Sequence, residues 1–303
     1  MKLLITGACG HIGSALIRRR KSMKRFDEII LLDDMSSERY CSLFNVMPRL
    51  NYRFVQGSIC DPELVHELVG KVDVVVHLAA KTNATETVNH PAITWFTNVY
   101  GTRIVATACH DKCRLLFPST TSVYGQSSGV VGEKAVFHPQ SPYAESKLKA
   151  ESEVLQGTLY RTVFRFGTIA GVSQGMRFHT AVNKFIWQAI THQPLTVWRT
   201  AMNQLRPYLS LSDCIRAIEF FLEDPDRCGG VYNVVTENRS LSSIIEVIKQ
   251  HVGMVHVDLV DSPIMNQLSY TVSAERFENL GFEFTGSIDS DIEETIRWLR
   301  RIS

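Results

Sequence analysis

Apolar residues along this chain gather in short, nearly unbroken runs rather than in strict alternation. KLLIT at 2–6, EIILLD at 28–33, YRFVQ at 52–56, VDVVVHLA at 72–79, RLLFPS at 114–119 and YRTVFRF at 160–166 each have the length of a strand. Runs this continuously apolar suit strands covered on both faces. The stretches between them are long enough for helices, which supply right-handed crossovers between parallel strands. The pattern predicts an α/β fold, a Rossmann-type doubly wound parallel sheet.

Beyond about residue 166 the rhythm changes. A helical stretch near 178–192 precedes a short strand LTVW at 195–198, then RPYLSLSD and a helix through Phe221. GVYNVV at 230–235 reads as another buried strand, followed by a serine-capped helix at 240–251 and an amphipathic one near 289–301. The expected organisation is a domain at 1–166, to which the segment at about 208–235 returns, and a smaller C-terminal lobe within 167–303.

Composition narrows the class. With 45% hydrophobic and 21% charged residues in 303, the chain can bury a sizeable core. A formal net charge of +1 gives no broad electrostatic case for nucleic acid or an anionic membrane. The local run Arg18, Arg19, Arg20, Lys21 reads as the exposed end of a helix. No apolar run reaches the ~18 residues that suggest a membrane span, and the chain opens on a strand-like segment rather than a leader, so a cytoplasmic home is expected. Seven cysteines without a CxxC pair suggest reduced thiols. Cys109 and Cys113, with His110 between them, do not make a zinc site, and no metal is expected.

Two patches of sequence carry chemistry. TGACGHIG at 6–13 follows the first strand at once, with glycines at 7, 10 and 13. Glycine lets a backbone turn sharply and approach a pyrophosphate at a helix start. Asp33 ends the second strand, twenty residues beyond Gly13, where a carboxylate accepts hydrogen bonds from ribose hydroxyls and repels a 2′-phosphate. This favours NAD over NADP, with Asp34 able to share the role or cap the turn. The second patch, QSPYAESKLKAE at 140–151, sets Tyr143 and Lys147 one helical turn apart. Composition alone would produce such a YxxxK in roughly one chain of this kind in three, so the pair needs company.

Company is present in chain order. Beside the glycine turn stand HLAA at 77–80, NVYGT at 98–102, STTSVYG at 119–125 and SPYAESK at 141–147, and RPYLSLSD and YNVV add weaker marks. Together they resemble the extended short-chain dehydrogenase/reductases, specifically the NAD-dependent nucleotide-sugar epimerase/dehydratase family, over nearly the whole chain. The resemblance implies NAD as cofactor and a nucleotide-diphosphate sugar as partner. It implies that Tyr143 is the general base, that Lys147 favours its phenolate and holds the nicotinamide ribose, and that the Thr120 hydroxyl bridges sugar and tyrosine. Gly7, Gly10, His11, Ile12, Gly13, Asp33, Ser58, Ile59, Leu78, Ala79, Ala80 and Asn98 are the implied cofactor contacts. Asn98 can equally serve as a backbone tie, and Lys81 reads as a solvated loop lysine. The implied substrate contacts are Thr121, Thr168, Arg177, Trp198 and Arg206. Of these, Arg206 would meet the sugar-nucleotide diphosphate, Arg177 would add charge there or cover the lobe surface, and Trp198 would stack on a base or fill the core.

The resemblance also frames the reaction. Dehydratases of the family carry Asp-Glu directly after the threonine, and decarboxylases tend to carry Glu where Ser122 stands, whereas this chain has Thr121 and Ser122. A 4-epimerase working through a 4-keto sugar is therefore expected first and a 4-dehydrogenase or reductase second. A nucleotide-sensing protein without turnover is the rival from another class. Thr168 replaces the usual asparagine of RxxN, and Ser58 stands where an adenine-contacting Asp is common. Homodimers are expected through helices near 98–110 and 142–155.

Overall fold

A computed structural model describes residues 1–48, 50–127, 129–261 and 269–300. The six apolar runs become β1 (Lys2–Thr6), β2 (Glu28–Asp33), β3 (Tyr52–Gln56), β4 (Val74–His77), β5 (Arg114–Thr120) and, after a two-residue β6 (Val130–Val131), β7 (Arg161–Phe166). Then come β8 (Thr168–Ala170), β9 (Leu195–Trp198), β10 (Leu205–Ser210), β11 (Gly230–Val234), β12 (Glu237–Ser240), β13 (Val257–Val260) and β14 (Thr271–Val272). Seven of them form one parallel sheet in the order β11-β7-β5-β4-β1-β2-β3. The order reverses between β1 and β4. In open α/β sheets a ligand crevice forms at such a point, outside the carboxyl ends of the strands.

Burial follows position in the sheet. β5 and β7 are buried at every residue, as a central parallel strand with helices on both faces must be. β3 departs from the two-sided pattern because it is the edge: Arg53, Phe54 and Gln56 are exposed. One core lies under the helices His11–Leu16 and Leu211–Glu223, from Leu3 and Ile5 to Phe221 and Phe277. A second lies under Pro62–Val69, Thr102–Ala108 and Pro142–Leu155. The chain beyond 166 builds a separate core around Phe185, Ile186, Ile244, Ile248 and Ile292, with β8 and β10 parallel, β12 antiparallel to β10, and β13 parallel to β9. No described helix is long and apolar enough to cross a membrane.

The basic run is not simply a solvated helix end. The first helix stops at Leu16, and Arg18 turns back to donate to the carbonyls of Ser14, at 2.7 Å, and Ser42, at 3.0 Å, and to that of Phe44. Arg19 and Lys21 pair with Glu219 and Glu223 of helix Leu211–Glu223. Opposite charge on the neighbouring helix therefore neutralises part of the run. All seven cysteines are free thiols.

One charged network lies inside the domain. Arg165 on β7 and Glu151 on helix Pro142–Leu155 pair at 2.7 Å, with only 4% and 3% of their side chains exposed. Arg165 also donates to the Tyr124 hydroxyl at 3.0 Å, which donates to Asn233 Oδ1 of β11 at 2.6 Å. Removing one partner of such a pair strands a buried charge. Glu151→Ala should destabilise the fold by about 3–5 kcal/mol in urea unfolding; a loss below about 1 kcal/mol would show that the pair does not hold the helix.

Candidate active site

The glycine turn is set by how closely two strand ends approach. Gly7 follows β1 at φ +66°, a left-handed conformation, and a Cβ there would lie 2.7 Å from the backbone nitrogen of Ala79, just after β4. A Cβ on Gly13 would meet the carbonyl of Ala8 at 2.6 Å. Between them the Gly10 amide donates to the Gly7 carbonyl at 3.0 Å and a helix starts at His11. Asp33 faces the turn: its two carboxylate oxygens accept the Cys9 and Met35 amides, each at 2.9 Å. Each oxygen keeps lone-pair capacity for a hydroxyl.

A cleft of about 590 Å³ opens over this crevice, within the span of about 300–1,000 Å³ usual for small-molecule sites. Gly7, Gly10, Asp33, Ser58, Ile59, Leu78, Ala79 and Ala80 line it. Glycine backbones and a ribose-ready carboxylate fit a dinucleotide. Three expected cofactor contacts turn elsewhere. The side chain of Ile12 packs on the core. His11 is neutral, its pKa pushed down to about 4 chiefly by burial, and its Nε2 lies 2.9 Å from the carbonyl of Gly171 in the second lobe. Asn98 is spent on structure: its amide nitrogen donates to Lys81 O at 3.0 Å and Ser146 Oγ at 2.9 Å, and its oxygen accepts the Lys81 amide at 2.8 Å. A π-helical turn at Phe96–Gly101 carries it, a local widening that re-aims side chains. His77 of HLAA is likewise structural, lying 2.7 Å from Thr6 Oγ1 and 2.9 Å from Thr102 Oγ1, with burial pushing its pKa down to about 3.

Tyr143 and Lys147 begin helix Pro142–Leu155, whose start is fixed by Ser141 accepting the Ala144 amide at 3.2 Å and by Pro142 in the first turn. Lys147 is 3% exposed, with Nζ 3.9 Å from the centroid of the Phe117 ring, and burial drops its pKa to about 7, opposed by Glu151. Burial pushes Tyr143 up to about 12, and what pulls it back down is the neighbouring Thr120 side chain and then the charge of Arg177. The charge of Arg177 thus favours the phenolate as well, while Lys147 lies over Phe117 and is itself desolvated. Asn98 and Ser146, whose hydroxyl donates to the Tyr143 carbonyl at 2.8 Å, connect this helix to Lys81 at the cleft.

The other substrate candidates are distributed. Thr121 lies 3.3 Å from the Phe166 carbonyl and 3.5 Å from the Tyr270 hydroxyl. The guanidinium of Arg206 sits 5.3 Å from the Tyr270 ring centroid and donates to Gln204 at 3.1 Å, so Tyr270 connects Arg206 with the strand end. Thr168 pairs with Tyr208 in the second sheet. Trp198 does not line the cleft and packs, half-buried, on the second core. Arg177 lines the cofactor cleft rather than an outer face of the lobe. Lys81, read as a solvated loop residue, also lines it, with Nζ donating to Ser36 at 3.0 Å. Sequence reasoning missed Arg39, Glu86 and His179, which share the lining. No motif spacing marks them, since they come from three separate loops or helix starts.

The glycine turn and the switch point agree with the family that sequence comparison finds. The NAD dependent epimerase/dehydratase family model matches residues 3–234. The chain belongs to that family. It is 27% identical, over 99% of its length and 88% of the other, to a dTDP-D-glucose 4,6-dehydratase of Bos taurus. It is 30% identical, over 84% of its length and 83% of the other, to an uncharacterised UDP-glucose epimerase of Bacillus subtilis (strain 168). Its fold matches the dTDP-glucose 4,6-dehydratase of Streptomyces venezuelae, solved with NAD bound, at a TM-score of 0.87 and 25% identity, covering 99% of this chain and 97% of that one. It is thus an enzyme of an NAD-dependent family, related to proteins acting on nucleotide sugars.

A base must be ionised to accept a proton, so the rising limb of kcat/KM against pH reports its pKa. Thr120→Val removes the strongest influence lowering the Tyr143 pKa. The limb should move to higher pH and the rate near neutrality should fall; a profile displaced to lower pH, or unmoved, would contradict this arrangement.

Proposed function

We propose that the protein is an NAD-dependent nucleotide-sugar 4-epimerase acting through a transient 4-keto sugar. The observation carrying this reading is the strand end after Thr120. Thr121 and Ser122 follow it, and neither hydroxyl shuttles protons well at neutral pH, so the extra acid and base that elimination needs are missing there. Tyr143 removes the proton of the C4 hydroxyl, and Thr120 holds that oxygen against the phenol. Bound NAD supplies a reversible hydride acceptor. The keto sugar then turns over and is reduced on its other face, with Tyr143 returning the proton.

The relatives named as dTDP-glucose 4,6-dehydratases favour a second reading, loss of water after the same oxidation, with the acid and base drawn from elsewhere. Net oxidation or reduction at C4 is the third. Incubation with UDP-, dTDP-, GDP- and CDP-sugars separates them by mass and proton NMR. Epimerisation leaves mass unchanged and inverts C4; loss of water would overturn it, and loss of two mass units with NADH appearing would favour a dehydrogenase. Tyr143→Phe should lower turnover by at least about 10²-fold while NAD binding stays within a few-fold; retained activity would remove the proposed base.

We also propose a homodimer. The segment entering helix Thr102–Ala108 exposes Ile93 (56%), Trp95 (46%) and Phe96 (51%), an apolar face suited to a second copy. Sedimentation at low micromolar concentration should show a dimer; a monomer alone would refute it.

A further inference from the structure

The segment 171–179 leaves the second lobe and is fastened across the glycine turn. His11 Nε2 donates to the Gly171 carbonyl at 2.9 Å and Ser173 Oγ to the His11 carbonyl at 2.9 Å. The Gly175 amide donates to Ser14 Oγ at 2.8 Å, and Arg39 donates to the Gly175 carbonyl at 2.8 Å. The approach is so close that a Cβ on Gly175 would lie 2.4 Å from the carbonyl oxygens of Cys9 and Gly10. This strap brings Arg177 into the cleft, where Arg39 already stands on the loop after β2.

Both guanidiniums are half-buried, and neither forms an ion pair with a carboxylate among the described residues. Other arginines of the molecule do: Arg165 with Glu151, Arg103 with Glu153, Arg216 with Asp213. Burial and then the charge of Arg177 bring the Arg39 pKa down to about 10. His11 and His179 beside them are neutral, both lowered to about 4, and the charges of Glu86 and Asp33 reach Arg177, and that of Asp33 reaches Arg39, without closing to an ion pair with either. Two cations aimed into one cleft beside glycine backbones call for an anion with several oxygens, which planar guanidiniums bind through paired hydrogen bonds.

We propose that Arg39 and Arg177 clamp the diphosphate of the bound dinucleotide, one from each lobe, so that the 171–179 strap holds the cofactor in the cleft. A diphosphate also occurs in a nucleotide sugar. The shared lining with Gly7, Gly10 and Asp33 favours the cofactor's. The clamp deepens the family's cofactor site and does not depend on which reaction follows oxidation at C4.

The test is calorimetric titration of nucleotide-stripped protein with NAD+, ADP, adenosine and, at saturating NAD+, UDP, for wild type, Arg177→Met and Arg39→Met. Each variant should weaken NAD+ and ADP at least fivefold and leave adenosine and UDP within twofold. An NAD+ loss below fivefold would overturn the clamp. So would an equal or larger loss of UDP, which would assign the arginines to the nucleotide sugar. Thermal unfolding of each variant, with Arg177→Lys as a charge-keeping substitute, separates a lost contact from a lost fold. If Arg177→Met does not fold, Arg177→Lys should still bind NAD+ more tightly than Arg177→Gln, and equal affinities would overturn the clamp. These titrations need no turnover, so a failed epimerase reading leaves their outcome intact.

Discussion

The buried pairing of Arg165 with Glu151 fixes the helix on which the chemistry depends. A carboxylate and a guanidinium removed from water are held only by each other and by the hydroxyl and amide groups around them. The Tyr124 hydroxyl and Asn233 complete that shell, joining the turn after β5, β7, β11 and helix Pro142–Leu155 through one polar network. The cost of leaving any member unpaired makes this register of helix on sheet far more favourable than a shifted one. Tyr143 and Lys147 lie on the first turns of that helix, and Glu151 also favours the charged form of Lys147. Network and reactive end thus share one rigid element.

The second constraint is steric. The ends of β1 and β4 come so close at Gly7 and Ala79 that no side chain fits between them, and the crevice where strand order reverses is consequently floored by backbone. At the turn itself a ligand meets backbone amides and carbonyls, which carry no net charge. Charge must therefore arrive from the rim. It does so on loops distant in sequence: Arg39 after β2, Lys81 after β4, and Arg177 from the other lobe.

The divide between what was readable and what was not follows from locality. The strands 2–6, 28–33, 52–56 and 195–198 have the bounds read from their apolar runs, because each run ends at glycine, aspartate or another turn-forming neighbour. The cofactor turn was legible because glycines at fixed intervals report backbone shape. The run at 18–21 was misread in part, since Arg18 is satisfied by carbonyls of residues 42 and 44 and Glu219 lies two hundred positions away. Asn98, His11 and Ile12 carry motif positions but spend their side chains on structure. Arg39, Glu86 and His179 left no trace in spacing.

The sequence by itself determined the parallel sheet, the NAD-type glycine turn with Asp33 and the one-turn offset of Tyr143 and Lys147, because each is a local matter of periodicity, φ angle or helical pitch. Only the tertiary structure decided the electrostatics. Which histidines are neutral, and which of the described arginines pair with a carboxylate, depend on burial and on charges from remote segments. Desolvation and Coulomb energy are properties of where side chains meet in space, and no interval along a chain records them.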